Sequence, residues 1–281
     1  MCPVLCLPFG KASPGKRAKL GQRFAGRTAL VTGGSHGIGR ASAISLAADG
    51  AKVAIVARNL DGLEEGASDI EEKTGHRPLI FQADCTSLEE VTRMFRESAA
   101  ALGGLDILVN STGETRGGHL MDLTEEDWEL SMGSKLQTQV RCCKEAVPLM
   151  RSRGGGCIVN VIGNRGKHPA GDSLTVGAAN AALVNFTVAL GQDEGPNNIR
   201  VVGVSPAPVV TRRQNRAMEK RAKALGISVE EARKLRLVDI PLGRAARPDE
   251  IGDVVAFAAS ARASFITGTV IYVDGGSTPC V

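Results

Sequence analysis

The sequence of 281 residues predicts an α/β fold: a single-domain, doubly wound, seven-stranded parallel sheet with helices on both faces. Short continuous apolar runs, which are typical of strands buried on both faces, alternate with stretches of helical periodicity from residue 28 onward. Repeated strand–helix units of this kind require a parallel sheet with right-handed crossovers. The composition, 43% hydrophobic and 23% charged, is that of a globular protein long enough to form one large core.

The first strand–helix unit is the most informative part of the sequence. An apolar run over residues 28–32 is followed by closely spaced glycines and then by a helical pattern that stops at Gly50. Free backbone N–H groups at the positive end of a helix bind a pyrophosphate, and glycine is needed because a Cβ would hold the phosphates off. An ordinary glycine-rich turn is the alternative. The loop residues predicted to bind a dinucleotide are Gly33, Ser35, His36, Gly37, Ile38 and Gly39.

The remaining elements follow in chain order. Further strands are predicted over residues 52–57, 77–83, 105–110, 157–162, 200–205 and 269–274. Helices are predicted between them: one ending near residue 73, one over 87–102, helical residues within 124–152, and a long helix over 173–193. No internal repeat or linker divides this series, and no stretch is expected to span a membrane.

Residues 211–247 depart from the alternation. They are helix-forming, they follow the sixth predicted strand, and they are rich in Arg and Lys. Two interpretations remain open: a solvated basic helix pair, or a mobile lid that favours an anionic substrate. The basic residues are Arg212, Arg213, Arg216, Lys220, Arg221, Lys223, Arg233, Lys234, Arg236, Arg244 and Arg247.

Composition limits the possible partners and the compartment. Residues 1–23 are Pro/Gly/Lys-rich and are predicted to be a disordered basic extension, or the product of a start codon set too far upstream, ahead of a domain over 24–281. A net charge of +4 is too small to indicate nucleic acid. The seven cysteines show neither C-x-x-C spacing nor a metal-ligand pattern, so reduced thiols in a cytoplasmic protein and no metal site are expected.

The end of the second strand indicates which dinucleotide is bound. An NAD site usually has an acidic residue there, which holds the ribose hydroxyls. This chain has Ala57, followed by Arg58 and Asn59, so no carboxylate repels a 2′-phosphate and a guanidinium can pair with it. His36 and Arg40 add polar or positive character nearby. NADP(H) is therefore the predicted cofactor, although Arg58 as a plain surface residue is the alternative.

Several motifs together make the chain resemble the short-chain dehydrogenase/reductase family over residues 24 to about 277. They are TGGSHGIG at 32–39, Asp84 after the third strand, NSTG at 110–113, Trp128, IVNV at 158–161, SPAPVVT at 205–211 and VDGG at 273–276. The resemblance implies a Rossmann-type fold, commonly a homotetramer, that binds NAD(P)(H) and acts on a small molecule. It also implies cofactor contacts along the strand ends, with Asp84 at the adenine and Thr211 at the carboxamide. The residues concerned are Asp84, Cys85, Asn110, Gly113, Pro206, Val209 and Thr211.

The chain departs from the family at the catalytic positions. The family reduces carbonyls or oxidises alcohols with a Ser, a Tyr, a Lys four residues later and an Asn on an earlier helix. Aligned with those motifs, the serine is Gly163, the tyrosine Val176, the lysine Asn180 and the asparagine Lys135. The single tyrosine, Tyr272, lies in the last predicted strand. Since hydride delivery to a carbonyl leaves an alkoxide, the proton must come from another group.

Four residues are candidates for that altered chemistry: His168, Lys135, Asn180 and Asn164. His168 lies in the loop after the fifth strand and can donate a proton at neutral pH, although an exposed loop histidine is as good an interpretation. Lys135 and Asn180 resemble an exchange of the family's Lys and Asn between two helices, although a surface helix lysine is the alternative interpretation of Lys135. The favoured function is an NADP(H)-dependent oxidoreductase acting on a carbonyl or alcohol, with an anionic or acyl-thioester substrate among the options. A non-redox isomerase or lyase, and a catalytically silent NADP(H)-binding subunit, are the alternatives.

Overall fold

A computed structural model describes residues 22–278. Predictions for residues 1–21, and those concerning Cys2, Cys6 and Cys280, lie outside the described residues. All six strand pairings are parallel, in the order β3-β2-β1-β4-β5-β6-β7, which confirms the predicted sheet. The strands are β1 Thr28–Thr32, β2 Lys52–Ala57, β3 Leu79–Gln82, β4 Ile107–Asn110, β5 Gly156–Val161, β6 Ile199–Pro206 and β7 Thr269–Val273.

Helices connect the strands and cover both faces of the sheet. They are α1 Gly37–Ala48, α2 Leu60–Thr74, α3 Leu88–Leu102, α4 Glu125–Ser131, α5 Thr138–Ser152, α6 Leu174–Glu194, α7 Arg212–Leu225, α8 Val229–Leu237 and α9 Pro248–Ala259. A π-helical segment, Met132–Gln137, joins α4 to α5. Apolar residues of α1, α2 and α9 pack on one face of the sheet, and those of α3 and α5, with α6 beside them, pack on the other.

The order of the strands creates the crevice at which ligands bind in such folds. The chain leaves β1 for β2 and β3 on one side, then returns to form β4 on the other side of β1. Thr32 at the end of β1 is in register with Asn110 at the end of β4, and Asn110 is in register with Asn160 near the end of β5. The loops after β1, β4 and β5 therefore emerge side by side, at the topological switch point of the sheet.

The helix α9 was not predicted from the sequence. Pro248 begins it, as proline does at a first helical position, and Asp249 and Glu250 follow in its first turn. Ile251 and Val255 are fully buried. A Cβ at Gly252 would come within 2.7 Å of the Ala41 carbonyl carbon and oxygen, so the glycine permits the close approach of α9 to α1. The signals were present, but the small apolar residues of this helix give weak periodicity.

The long, apolar helix α6 bears on the expectation that no stretch spans a membrane. Leu174–Asn197 is long and apolar enough to pass a length-and-composition test for a membrane-crossing helix, in the part of the chain that the structure describes. The reason is its run of Ala, Val, Leu and Gly residues. The helix packs against β6 and β7, and its larger apolar residues are all buried or partly buried. A core helix of a globular protein passes the same test, so the result does not contradict the expectation.

Candidate functional site

The glycine loop after β1 is shaped by close backbone contacts. A Cβ on Gly33 would lie 2.7 Å from the Ser111 carbonyl oxygen, and Gly33 has a φ of +67°, which favours glycine. A Cβ on Gly39 would overlap the carbonyl oxygen of Gly33. Gly37, also at positive φ (+60°), faces Thr211, whose Cγ2 lies 3.3 Å from the position of a Cβ. The glycines hold the loop close to the starts of the neighbouring loops and leave the amino end of α1 open.

His36 and Ser35 form the polar edge of this loop. Their side chains are hydrogen-bonded to each other, with 2.8 Å between Ser35 Oγ and His36 Nδ1. Burial and the positive charges of Arg212 and Arg40 lower the pKa of His36, so the imidazole is mainly neutral at pH 7. Ile38 packs against the core beside them. This end of α1 is therefore neutral or positive, which suits a phosphate group.

The ends of β2 and β3 border a second part of the crevice. A cavity of about 310 Å³ opens there, between Arg58, Gln82, Asp84 and the side chains of α3. The Arg58 side chain is exposed and forms no ion pair with any residue between 22 and 278. Its backbone carbonyl accepts a hydrogen bond of 2.9 Å from Gln82 Nε2. An unpaired guanidinium beside a cavity fits a 2′-phosphate, as the sequence predicts.

Three residues predicted to contact the cofactor have side chains that serve the fold. Asn59 caps α2, because its Oδ1 accepts a 2.6 Å hydrogen bond from the Gly62 amide. Asn110 is fully buried and donates to Asn160 Oδ1 at 3.0 Å. Cys85 is 5% exposed. The side chains of Asn110 and Cys85 are buried, whereas Asn59 is exposed at the end of β2, and the cofactor contacts of all three stay predictions.

The Asp84 carboxylate stabilises a turn and also borders the cavity. Its Oδ1 accepts hydrogen bonds from the amide and the hydroxyl of Thr86, at 2.9 and 2.8 Å. The carboxylate is half-buried and borders the cavity beside Arg58. Asp84 therefore remains a predicted adenine contact.

The segment after β6 closes the other end of the crevice. Pro206 ends β6, and Val209 is buried and bridges to Ala246. Thr211 caps α7 by accepting a 3.2 Å hydrogen bond from the Gln214 amide, and its methyl group lies against Gly37. The segment therefore lies against the amino end of α1, where the resemblance places the cofactor's carboxamide.

Lys135 lies at the centre of the crevice. Its side chain is 7% exposed and rises from the π-helical segment, so that Nζ donates a 2.8 Å hydrogen bond to the Val161 carbonyl at the end of β5. A Cβ on Gly113 would lie 2.5 Å from Lys135 Cδ, which explains the glycine at that position. Lys135 forms no ion pair within residues 22–278. Burial, assisted by the charge of Arg213, lowers the pKa of Lys135 to about 7.

Gly163 and Asn180, two of the altered family positions, are in contact. A Cβ on Gly163 would lie 2.9 Å from Asn180 Nδ2, and Gly163 has a φ of +144°, where a side chain is strained. Asn180 is 4% exposed, and its Oδ1 is buried without a hydrogen-bond partner. The asparagine on α6 thus occupies the space beside the position of the family's serine. Loss of one side chain makes room for the other.

Asn164 and His168 form no hydrogen bond with Asn180. The Asn164 amide donates a 3.1 Å hydrogen bond to Ser277 Oγ, which links the loop after β5 to the segment after β7. The His168 backbone amide bonds to the Asn164 carbonyl at 2.8 Å, and its half-buried ring forms no hydrogen bond with Lys135 or Asn180. Lys167 lies over the Tyr272 ring, 5.3 Å from the centroid. The hydrogen bonds of Asn164 and His168 thus include neither Lys135 nor Asn180.

Two further residues of the site were not singled out from the sequence. Gln139 is fully buried, and its Nε2 donates to the same Val161 carbonyl as Lys135, at 3.3 Å. The four-residue spacing on one helical face was the available signal. Arg213 of α7 donates to the Gly113 carbonyl at 2.9 Å and to Thr115 Oγ1 at 2.7 Å, which fastens the basic segment onto the loop after β4.

Comparison with known proteins agrees with this geometry. Residues 33–278 match the family model described as enoyl-(acyl carrier protein) reductase. The 3-oxoacyl-(acyl-carrier-protein) reductase FabG of Chlamydia muridarum is 33% identical over 251 residues, which cover 89% of this chain and 96% of the relative. The NADPH-dependent reductase BacG of Bacillus subtilis is 32% identical over 252 residues, which cover 89% and 97%.

A solved structure extends the comparison to the whole fold. L-sorbose reductase from Gluconobacter frateurii, complexed with NADPH and L-sorbose, superimposes with a TM-score of 0.86 at 30% identity. The match covers 92% of this chain and 98% of that one. Fold, strand-end motifs and relatives lead to the same assignment, and the resemblance drawn from the motifs is confirmed. This chain belongs to the short-chain dehydrogenase/reductase family.

Proposed function

We propose that this protein is an NADP(H)-dependent oxidoreductase that interconverts a carbonyl and an alcohol, with Lys135 as the group that gives and takes the proton. The observation that carries the proposal is a lysine buried at the carboxyl end of β5, without an acidic partner, whose pKa of about 7 permits both protonation states at neutral pH. The family relationship and the NADPH-dependent relatives support the coarser function.

The residues of the crevice fit the cofactor. The amino end of α1 would receive the pyrophosphate, because Gly33 and Gly39 permit the close backbone packing that holds the loop beside this helix end. Arg58, exposed and unpaired within the described residues, would hold the 2′-phosphate. Thr211, against Gly37, would lie at the nicotinamide end. When bound, NADPH supplies the hydride, and the protein must supply the proton and stabilise the developing oxyanion.

The remaining chemistry is assigned to the residues at the end of β5. The Lys135 ammonium would protonate the oxygen of a substrate carbonyl and, in the reverse direction, neutral Lys135 would accept a proton from the alcohol. The Val161 carbonyl, which accepts from both Lys135 and Gln139, positions Nζ. Asn180 Nδ2, beside Gly163, would donate a hydrogen bond to the developing oxyanion. His168 and Asn164 remain predictions with no support from side-chain contacts.

The resemblance favours a homo-oligomer, commonly a tetramer. Four cysteines of the described chain, Cys85, Cys142, Cys143 and Cys157, are free and buried, which supports the proposed cytoplasmic location. The proposed partners are thus further copies and a small-molecule substrate.

Nucleotide titration followed by a substrate screen tests the proposed function. Quenching of Trp128, the single tryptophan, reports binding of NADPH and NADH, and NADPH consumption is then followed with a panel of carbonyl compounds. We expect the wild type to consume NADPH. Lys135→Met should abolish this consumption and retain the affinity for NADPH. Lys144→Met, which removes an exposed lysine of α5, is the control. Binding of neither nucleotide, or a product formed without NADPH consumption, would overturn the proposal.

A further inference from the structure

Three arginines converge near the start of α6, beyond the residues assigned to cofactor and proton transfer. Arg165 lies in the loop after β5, Arg221 on α7 and Arg236 on α8. Arg221 forms a 3.2 Å ion pair with Asp172, and Arg165 donates a 3.4 Å hydrogen bond to the His168 carbonyl. The charges of all three arginines act on Asp172, and those of Arg165 and Arg221 act on Arg236. They form one electrostatic cluster, contributed by three separate segments.

The carboxylates near the cluster do not neutralise it. Asp172 uses Oδ2 for Arg221, while Oδ1 accepts a 3.0 Å hydrogen bond from Ser173. Asp239, which is exposed, also acts electrostatically on Arg236 but forms no ion pair with it. Arg165 and Arg236 form no ion pair anywhere in residues 22–278. Three guanidinium groups therefore face two carboxylates, only one of which is within ion-pair distance.

Two donor atoms of the cluster have no hydrogen-bond partner. The Nε atoms of Arg165 and Arg221 are both buried, and neither is bonded to any group of the described protein. A buried N–H donor without an acceptor is unfavourable, and its cost is removed by a ligand that accepts from it. The matching chemistry is an oxyanion, since guanidinium groups bind carboxylates and phosphates through such donors.

Other arginines of 211–247 do have carboxylate partners. Each of four arginines of that segment has a carboxylate partner within 4 Å: Arg212 with Glu65, Arg233 with Glu230, Arg244 with Glu250, and Arg247 with Asp249. These pairs are exposed and belong to the solvated face that the sequence allowed. Arg213, Arg216, Lys220, Lys223 and Lys234 also lack an ion pair within residues 22–278, but only the cluster holds buried guanidinium N–H groups that have no acceptor among the described residues.

The cluster lies at the substrate end of the crevice. Arg165 follows Gly163 by two residues, and Asp172 precedes Val176, the family's tyrosine position, by four. A Cβ on Gly117 would lie 2.9 Å from the Asp172 carbonyl oxygen, so this loop also packs on the segment after β4. Arg58, assigned to the 2′-phosphate, lies at the end of β2, near the other edge of the sheet. The two cationic sites are therefore separate.

We propose that Arg165, Arg221 and Arg236 form a subsite for an oxyanion, a carboxylate or a phosphate, carried by the carbonyl substrate. The inference rests on the proposed function, because it places a substrate beside Gly163 and Asn180. It identifies the substrate class as anionic and assigns its recognition to three particular residues. Asp172 acts as a positioning residue that orients Arg221 through their ion pair.

Calorimetric titration of the NADPH-saturated protein with inorganic phosphate and with acetate tests the subsite. Saturation with NADPH occupies the 2′-phosphate site, so the remaining signal reports a second one. We expect the affinity for the better anion to fall about tenfold or more in Arg165→Gln and in Arg236→Gln, because each loses a charge-assisted contact. Arg233→Gln, three residues from Arg236 on the same helix but paired with Glu230, is the control and should leave the affinity unchanged.

Each outcome decides the proposal. Absence of binding by both anions, or equal binding by wild type and both variants, overturns the subsite. A matched pair of substrates, a keto acid and its methyl ester, adds a kinetic arm: Arg236→Gln should raise KM for the acid and leave KM for the ester unchanged. Failure of NADPH itself to bind would overturn the proposed function, whereas anion binding to the nucleotide-free Arg58→Asp variant still decides the subsite. Circular dichroism verifies that each variant is folded.

Discussion

Substitution of Lys135 by methionine provides the sharpest test of the site, because stability and catalysis should respond in opposite directions. Lowering the pKa of Lys135 from 10.5 to about 7 corresponds to about 5 kcal/mol of native-state destabilisation below pH 7, where both the folded and the unfolded protein carry the charge. Methionine fills a similar volume without the charge. It also forfeits the hydrogen bond to Val161, a loss of about 1.5–3 kcal/mol.

The pH dependence follows from the sign of the shift. A lysine whose folded pKa is depressed destabilises the protein most at low pH, and the penalty diminishes as pH rises from about 7 toward 10.5. At pH 6 the variant should therefore be more stable than the wild type by about 2–3 kcal/mol. At pH 9 the remaining penalty of about 2 kcal/mol is offset by the lost hydrogen bond, and the two proteins should be about equally stable.

Urea unfolding at pH 6, 7.5 and 9, followed by Trp128 fluorescence, measures this difference. Comparison of variant with wild type at each pH removes the contribution of all other titrating groups. In parallel, kcat for NADPH-dependent reduction should fall by about 10²–10⁴-fold in Lys135→Met. In the wild type it should decline as pH rises through about 7, since only the ammonium donates. A stability difference that is independent of pH would refute the buried charge, and an unchanged pH–rate profile would refute the proton-transfer role.

Three further predictions concern the cofactor loop and the altered catalytic positions. Arg58→Asp should weaken NADPH binding by about 10–100-fold, through loss of a charge-assisted pair, while NADH binding changes little; equal loss of both nucleotides in fluorescence titration would contradict the 2′-phosphate assignment. Gly39→Ala should abolish nucleotide binding and lower the melting temperature, because the new Cβ overlaps a backbone carbonyl, whereas Gly195→Ala, with open space around it, should be neutral in both assays. Gly163→Ala should destabilise the protein by about 1–3 kcal/mol through backbone strain and contact with Asn180. A double-mutant cycle with Asn180→Ala should show coupling of about 0.5–1 kcal/mol or more, and strict additivity would disprove the contact.

The arrangement of residues 211–247 shows why a charge pattern alone left two interpretations open. Arg212 and Arg236 are both arginines of one basic segment, and nothing local distinguishes them. Arg212 forms a 2.7 Å ion pair with Glu65 of α2 across the crevice. Arg236 instead interacts electrostatically with Arg165 and Arg221. Their partners lie far away in sequence, so only the packed structure separates a solvated ion pair from an unpaired cation.

Local patterns determined most of the fold. The bounds of β1 and β2 were predicted to the residue, because strands buried on both faces need continuous apolar runs and the glycines around them end those runs abruptly. Predicted strand β3 was longer than the observed one, and β4 begins two residues later than expected. Strand ends are decided by pairing with neighbouring strands, which periodicity does not report.

The sequence by itself determined the parallel sheet, the glycine loop and the cationic end of β2, and it predicts that the family's catalytic residues are replaced, since each of these depends on residue types at fixed spacing. Tertiary structure alone decided that Lys135 is buried without an acid, that Asn180 occupies the space left by Gly163, and that Asn110 is turned into the core. Burial and side-chain direction arise from contacts between segments distant in the chain. A lysine's pKa depends on those surroundings, so its protonation state at neutral pH can be inferred only from the folded structure.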